Sequence, residues 1–362
     1  MDNLESLELN ETAIEKLSSS IGNLKGLKDL NMFGCRRLVY FPESSINSGC
    51  INLSNCKLRK LPEDLSFLSS VKTLDFSRNN FERIPATINQ LSRLKYLHIN
   101  NCERLQSLPE LPSSVSLLEA TGCISLEQIW TLKQLSLDLQ EHWNIFDLSD
   151  CLKLDEDECQ AAANAQLRNH ITAFTRNQMQ KSLDHFLMIY PGNRIPEWVK
   201  YQSMGDSVQI HLPSLWFNHL FLGFAFYVCV NFVDYEDGGV GNYRYDCYLG
   251  DNYHCYFDGS ILDSFHIPRA DKEHMIVWIR EEFCEWIRKH GNSEEDVVFV
   301  KFTSSVENIV TKCGVIPLYA QKDEDNFCET FDFPTLGKSK IKRSATSAGL
   351  FHCMPKKRRN ME

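Results

Sequence analysis

A recurring pattern of leucines constrains the fold of this chain more than any other feature. A Leu-x-x-Leu-x-Leu motif returns at intervals of 21 or 23 residues, and its last apolar position falls at Leu9, Met32, Leu53, Phe76, Ile99 and Ala120. Side chains alternate along a strand, so the apolar positions of each unit lie on one face. A single strand and turn cannot bury that face, so neighbouring units must stack into a solenoid with a continuous core.

A second periodic position identifies the repeat type. Three residues after each apolar position stands one of Thr12, Cys35, Cys56, Asn79, Cys102 and Cys123. Asn or Cys at this place is typical of leucine-rich repeats. We predict about six repeats within residues 1–134, with the four cysteines as small buried side chains rather than metal ligands. No capping segment precedes Leu4, so the solenoid is expected to be N-terminally incomplete.

The periodicity changes after the repeats. Residues 135–183 show helical spacing and are predicted to form a helical connector. Short strand-like runs separated by turn residues then fill residues 184–335, which indicates an antiparallel β-sandwich. The runs are 185–190, 207–212, 222–233, 275–279, 297–302 and 314–320. The expected fold class is therefore α+β and mostly β, a solenoid followed by a sandwich, with a disordered basic tail at 336–362.

Charge and apolar content exclude several functions. The net charge is −10, and the tail from Leu336 onward carries eight basic residues and one acidic one, which leaves −17 on the rest. Such an acidic body argues against nucleic-acid binding, which needs Lys and Arg against the phosphates. The apolar run Leu220–Val230 is too short to span a bilayer, which takes about 20 residues. Fourteen cysteines without a secretory leader suit reduced thiols in the cytoplasm or nucleus.

The segment from Met188 to Val230 carries motifs that resemble a known family. They are Pro191-Gly192, Ile195-Pro196-Glu197-Trp198, the Gly205 turn, Leu212-Pro213 with Trp216, and Leu222-Gly223-Phe224-Ala225. Together with the run from Asp150 and with Lys312-Cys313-Gly314-Val315, they resemble the C-terminal jelly-roll and Ig-like domain (C-JID) of plant TIR-type nucleotide-binding leucine-rich-repeat resistance proteins. With the repeats, the resemblance covers about residues 1–335.

The resemblance implies a function in defence. In this family a TIR domain and a nucleotide-binding switch precede the repeats, while the repeats and the C-JID recognise a pathogen effector. Neither upstream module is in this sequence, and it contains no phosphate-binding loop, so no catalytic residue, cofactor or metal is expected. The expected partners are an effector or the receptor's own upstream domains, with no nucleic acid and no membrane. The alternative is a stand-alone adaptor that regulates full-length receptors, and an enzyme is a more remote one.

Candidate partner-binding residues fall in two regions. Residues between the buried leucines of the repeats point outward, and repeat proteins bind partners with this surface. These candidates are Asn31, Phe33, Asn52, Asp75, Tyr96, His98 and Glu119. The second region, 232–257, is rich in Tyr and Gly, a composition typical of binding loops. Its candidates are Tyr235, Tyr243, Tyr245 and Tyr248, although tyrosines also favour ordinary sheet faces.

The basic tail and Trp198 each allow a functional and a purely structural interpretation. Two basic clusters twelve residues apart resemble a bipartite nuclear-import signal, or they form a merely solvated tail. They comprise Lys338, Lys340, Lys342, Arg343, Lys356, Lys357, Arg358 and Arg359. Trp198 is predicted to fill the sandwich core rather than to line a ligand pocket.

Overall fold

The structure is a computed structural model. It describes residues 4–38, 46–129, 132, 143–176, 185–212, 221–231, 243–249, 253–257, 273–279, 297–304 and 310–319. All of these belong to one compact unit that runs from Met1 to Phe327.

The repeats form a ladder of short parallel strands. They are β1 (Ser6–Glu8), β2 (Asp29–Asn31), β3 (Cys50–Asn52), β4 (Thr73–Asp75), β5 (Tyr96–His98) and β6 (Leu117–Glu119). Each strand pairs with the next in unshifted register. From β2 to β6 the middle residue, such as Leu74 or Leu97, is buried, whereas Leu7 of β1 is partly exposed. Short 3-10 helices at Ser19–Asn23, Ser66–Leu68 and Ala86–Gln90 follow on the opposite side. The repeat fold predicted from the leucine spacing is confirmed.

A tight turn and a polar ladder follow each strand. Six residues at equivalent positions have positive φ, between 56° and 72°: Glu11, Gly34, Asn55, Arg78, Asn101 and Gly122. The next residue is the Asn or Cys position, and from Cys35 onward its side chain donates a hydrogen bond to a carbonyl of the preceding repeat. Cys56 donates to Met32 O at 3.1 Å and Asn79 to Leu53 O at 2.9 Å. The four cysteines are buried as expected, and they hold neighbouring repeats together.

A seventh repeat lies where we predicted only a connector. Strand β7 (Trp143–Asp147) pairs in parallel with β6, so that Glu119 stands beside Asp147. Asp150 takes the same positive φ, 59°, and Cys151 donates to Ala120 O at 3.1 Å. The interval from Ala120 to Leu148 is 28 residues, longer than the 21 or 23 of the other repeats, so the spacing concealed this unit.

The helical part of the predicted connector is α1 (Glu156–Arg176). Its first turn carries three acidic residues, which favour a helix N-terminus. Within the described part of the chain, no helix has both the length and the apolar character needed to cross a membrane.

The sheet does not end with the repeats. Strand β8 (His185–Pro191) pairs in parallel with β7, and antiparallel strands extend the sheet to twelve. In spatial order these are β14 (Glu273–Ile279), β11 (Phe221–Asn231), β16 (Val310–Tyr319) and β9 (Tyr201–Met204). A second sheet has the order β10 (Ser207–His211), β15 (Val297–Ser304), β12 (Tyr243–Leu249) and β13 (Tyr253–Phe257). The chain is thus mostly β, with one large mixed sheet and a smaller one.

Both faces of the large sheet are covered beyond β7. On one face α1 packs over β8 and β11, where the hydroxyl of Tyr227 donates to Asn164 Oδ1 at 2.9 Å. On the other face the two sheets share an apolar core. Phe226 stacks on Trp278 at 5.3 Å between ring centroids, and Phe302 of the smaller sheet packs edge-on against Trp278 at 5.8 Å.

Candidate functional site

The third residues of the repeat strands form one continuous row. The strand pairing places Asn31, Asn52, Asp75, His98 and Glu119 side by side in that order, followed by Asp147 of β7. The middle residue of each strand is buried, so these neighbours point to the opposite, concave face. Tyr96 occupies the first position of β5 and is 37% exposed. We call this strip the concave row.

A cavity of about 330 Å³ opens beside the concave row. Three of the predicted residues line it, Phe33, Asp75 and Glu119. Asp147 and Arg78 contribute from neighbouring repeats. Asn31, Asn52, Tyr96 and His98 are outside its lining but belong to the same strip.

Local hydrogen bonds fix the polar side chains of the row. Asp75 Oδ1 accepts from the backbone N–H of Ser77 at 2.8 Å, and Asn52 Oδ1 accepts from Ser54 N at 2.9 Å. The same contact returns at Asn31, whose Oδ1 accepts from Phe33 N at 3.2 Å. Because each of these three side chains bonds to the backbone two positions onward, the local turn fixes its direction.

His98 and Glu119 form the central pair of the row. His98 Nδ1 lies 2.8 Å from Glu119 Oε2, and Asn100 Nδ2 donates to the same oxygen at 2.9 Å. Burial disfavours protonated His98, but the hydrogen bond and charge of Glu119, aided by Asp75, outweigh it and raise the pKa of His98. Burial also opposes ionisation of Glu119, yet its bonds to His98 and Asn100 leave its pKa lowered. The pair therefore favours the charged state of both partners.

Asp147 was missed by the sequence analysis. It is only 2% exposed, and Ser149 donates to its Oδ1 from the backbone N–H at 2.9 Å and from the hydroxyl at 2.5 Å. Burial raises the pKa of this carboxyl to about 6, although these hydrogen bonds oppose the shift. The signal that would have found it is Leu148-x-x-Cys151-x-x-Leu154, which matches the spacing of Met32, Cys35 and Leu38.

The concave face becomes a core face at its C-terminal end. The residues in register with Thr73, the first residue of β4, are Tyr96, Leu117, Ile145 and Leu187 in the four strands that follow. Ile145 and Leu187 are buried in the core between the two sheets, and Leu117 packs against them. The polar strip therefore ends against the post-repeat part of the same compact unit.

The strand register separates the described tyrosine candidates into two sets. Tyr248 pairs with Phe299, which is 38% exposed, whereas Tyr245 pairs with Phe302, which is buried. Directly paired residues share a sheet face, so the register groups position 248 with Phe299 and position 245 with Phe302. Tyr243 shares the face of Tyr245, two positions along the same strand. Tyr235 and the basic clusters lie outside the described residues.

Trp198 is half-buried rather than enclosed. Its ring meets Tyr227 edge-on at 6.0 Å between centroids. The neighbouring Ile195 and Val199 pack so closely on Gly314 that a Cβ there would lie 2.9 Å from the Val199 side chain. The Ile195-Pro196-Glu197-Trp198 motif thus anchors its loop to the sheet.

Comparison with known proteins agrees with this architecture. Residues 190–324 match the C-JID domain family. The disease resistance-like protein DSC1 of Arabidopsis thaliana is 32% identical over 90% of this chain. The TMV resistance protein N of Nicotiana glutinosa is 33% identical over 62% of it. The chain belongs to the leucine-rich-repeat plant disease resistance proteins that carry a C-JID.

The similarity covers only part of these relatives. The chain spans 29% of the length of the Arabidopsis protein and 20% of that of the Nicotiana protein. Among solved structures, the leucine-rich repeat domain of the type III effector XopL is 22% identical with a TM-score of 0.36, covering 43% of this chain and 57% of that one. A likeness of that strength carries no argument about function.

The chemistry of the concave row suits binding. Across the described residues, no three His, Cys, Asp or Glu side chains are arranged to hold a metal ion. The row instead offers carboxylates, amides and a partly exposed aromatic ring, each in a fixed direction. Such a surface can form directed hydrogen bonds and ion pairs with a partner.

Proposed function

We propose that this protein acts in plant defence as a recognition module that binds a pathogen effector and performs no catalysis of its own. The observation that carries the proposal is the concave row, a strip of fixed polar residues with the exposed Tyr96, running up to the post-repeat domain. Its relatives are disease resistance proteins, which supports a role in defence and suggests protein partners.

We further propose that residues 184–335 form the jelly-roll and Ig-like sandwich of this family. The support is that Phe226 and Trp278 of the large sheet share a core with Phe302 of the smaller one. In that arrangement the outer face of the smaller sheet, with Phe299 and Tyr248, is a second contact surface for the same partner. The chain thereby binds in two places.

The test is a titration of effectors from a panel against the parent chain, Tyr96→Ala and Tyr248→Ala. Binding energy usually concentrates in a few aromatic or Arg anchors that cost about 2 kcal/mol or more on truncation. Each variant should weaken a true partner by at least about tenfold. Ile124→Ala is the control, because Ile124 is 44% exposed but lies after β6, outside the row. Full affinity in either tyrosine variant, with folding confirmed by circular dichroism, would refute two-part recognition.

The partner class separates this proposal from its alternative. An adaptor should bind the nucleotide-binding region of a full-length resistance protein, and an effector should not compete for it. The same variants serve in that titration. If the chain binds the receptor region in a Tyr96-dependent way and binds no effector, the concave row serves regulation or an autoinhibitory contact and not effector recognition.

The basic clusters lead to a proposal about location. We propose that they carry the protein into the nucleus, so that it occupies both nucleus and cytoplasm. Replacing Lys356, Lys357, Arg358 and Arg359 with alanine should shift a fluorescent fusion, made larger than the limit for free diffusion, toward the cytoplasm. An unchanged distribution would leave the clusters as solvated charge.

A further inference from the structure

The cavity beside the concave row is a groove that runs along several repeats and has room for one long side chain. Its volume of about 330 Å³ is near the lower end of the range of roughly 300–1,000 Å³ typical of small-molecule sites. It extends from Phe33, which follows β2, to Asp147 of β7, five strands along the sheet. A partner that lies along the row can insert one long side chain here.

The charge of the lining selects the kind of side chain. Three carboxylates face the cavity, Asp75, Glu119 and Asp147, against the single guanidinium of Arg78. One oxygen of each carboxylate already accepts a hydrogen bond, from Ser77, His98 and Ser149 respectively. A carboxylate has about four acceptor sites, so these bonds leave capacity for further donors.

The burial of the Asp147 carboxylate is a second reason to expect a cation in the cavity. It is almost completely buried, yet its carboxyl borders the cavity, and its bonds to Ser149 are to neutral groups. Burying a carboxylate without a positive partner is costly. The raised pKa of Asp147 reflects that cost, and a cation in the cavity would relieve it.

The geometry favours arginine over lysine. Glu119 and Asp147 are direct neighbours on paired strands, which lie roughly 4.8 Å apart. A planar guanidinium with five donors can bond to two carboxylates at once, whereas an ammonium acts as a point charge.

We propose that this cavity receives an arginine side chain of the protein partner. The inference rests on the proposed function, because it names the chemical group by which the partner is recognised. A partner with an exposed arginine in an extended segment or loop would then be preferred over one with a neutral residue at that place.

The test uses three blocked tripeptides, acetyl-Gly-X-Gly-amide, in which X is arginine, lysine or citrulline. Citrulline keeps the shape of arginine and removes its charge. Binding is followed by NMR through the backbone amides of Ser77, Asn100 and Thr121, at the cavity wall. We expect the arginine peptide to bind at least about tenfold more tightly than the citrulline peptide, with the lysine peptide between them.

Matched variants assign the effect to the cavity. Glu119→Gln and Asp75→Asn keep the shape of each side chain and should remove most of the preference for arginine over citrulline. Glu8→Gln is the control, because Glu8 has the same third position in β1 but lies outside the cavity lining. Equal affinity for the arginine and citrulline peptides, or a preference that survives in both cavity variants, would overturn the inference.

The failure of this inference is distinguishable from failure of the proposed function. If an effector binds in a Tyr96-dependent way and Glu119→Gln leaves its affinity unchanged, the arginine site is wrong and effector recognition stands. If no effector binds, the proposed function fails whatever the peptides do. A loss of at least about tenfold in effector affinity with Glu119→Gln, and none with Glu8→Gln, supports both.

Discussion

The repeats and the post-repeat strands build one sheet by opposite means. In the repeats each strand pairs with the strand of the next unit, about 20 residues away, as β5 does with β6. Beyond β7 the partners are distant in sequence, since β8 at His185–Pro191 pairs with β14 at Glu273–Ile279. Local pairing lets the repeats form progressively, whereas distant pairing costs loop entropy before any contact is made.

The concave face of the large sheet is a polar surface in the repeats and becomes part of the core at β7 and β8. Thr73 and Asp75 keep the concave face polar at β4, whereas Ile145 of β7 and Leu187 of β8, which are in register with Thr73, are buried. The strand geometry is continuous through this change. The residue type at one strand position therefore determines where the binding surface ends and the core of the next domain begins.

The largest expected effect is at the joint between the two regions. Phe146 of β7 is fully buried and lies 6.5 Å from Phe186 of β8 between ring centroids. Phe146→Ala should cost about 3–5 kcal/mol and should loosen both regions. Hydrogen exchange, read on peptides from residues 46–129 and from β11, measures this directly.

A matched variant sharpens that test. Phe81→Ala removes an equally buried ring that packs on Phe76 at 6.0 Å, entirely within the repeats. Its loss of protection should be concentrated in the repeats. If Phe146→Ala leaves exchange in β11 unchanged, the two regions unfold independently and the continuous sheet gives them no shared stability.

The next effect concerns Asp147, where the polar row meets the core. Its folded pKa of about 6 exceeds the ordinary 3.8, so its contribution to stability is present below pH 3.8 and is lost as the pH rises through 6. The loss is about 3 kcal/mol, the free-energy equivalent of about two pKa units. Asp147→Asn should therefore be the more stable protein at pH 8, with its advantage gone near pH 4.

Chemical denaturation of both proteins at several pH values checks this. The exposed carboxylate of Asp29 provides the control, because Asp29→Asn should change stability by less than about 0.5 kcal/mol. An Asp147→Asn protein that is less stable than the parent at pH 8 would mean that the ionised carboxylate stabilises the fold.

The smallest effect is the coupling between His98 and Glu119 in the middle of the row. The raised pKa of His98 gives stability that is present below its ordinary 6.5 and lost as the pH rises through the folded value. The lowered pKa of Glu119 gives stability that is present above its ordinary 4.5 and lost as the pH falls. The pair should therefore contribute most between about pH 4.5 and 6.5.

A double-mutant cycle of His98→Ala and Glu119→Ala measures that coupling, which we expect to be about 1 kcal/mol for a half-buried ion pair. At pH 8 the coupling should be smaller, because His98 is then neutral. A coupling that stays constant from pH 5 to 8 would assign it to a neutral hydrogen bond.

The sequence analysis succeeded where the structure is periodic. The leucine spacing predicted the six strands, and the Cys and Asn positions predicted the buried ladder, because both follow from contacts between adjacent repeats. The seventh repeat was missed because the 28-residue interval before Leu148 exceeds that spacing. Asp147, the most buried carboxylate of the row, was missed with it.

Six of the nine described post-repeat strands were predicted as segments, whereas β9, β12 and β13 were not, and no strand pairing was predicted. The run at 275–279 is part of β14, yet nothing local in it specifies pairing with β8 and β11. The register between distant strands is selected by tertiary packing, such as that of Phe226 on Trp278. For the same reason sequence could not separate Tyr248 from Tyr245, which differ only in the face that pairing gives them.

The parallel pairing of β7 with β8 has a consequence for recombining these proteins. Strand β8 pairs with β7 and packs against helix α1, so all three should come from one parent. A chimera that exchanges whole repeats should therefore cross over between Glu119 and Trp143. A crossover between β7 and β8 would join strands that were never selected to match, and a shift of one residue there would turn every side chain of β8 to the wrong face.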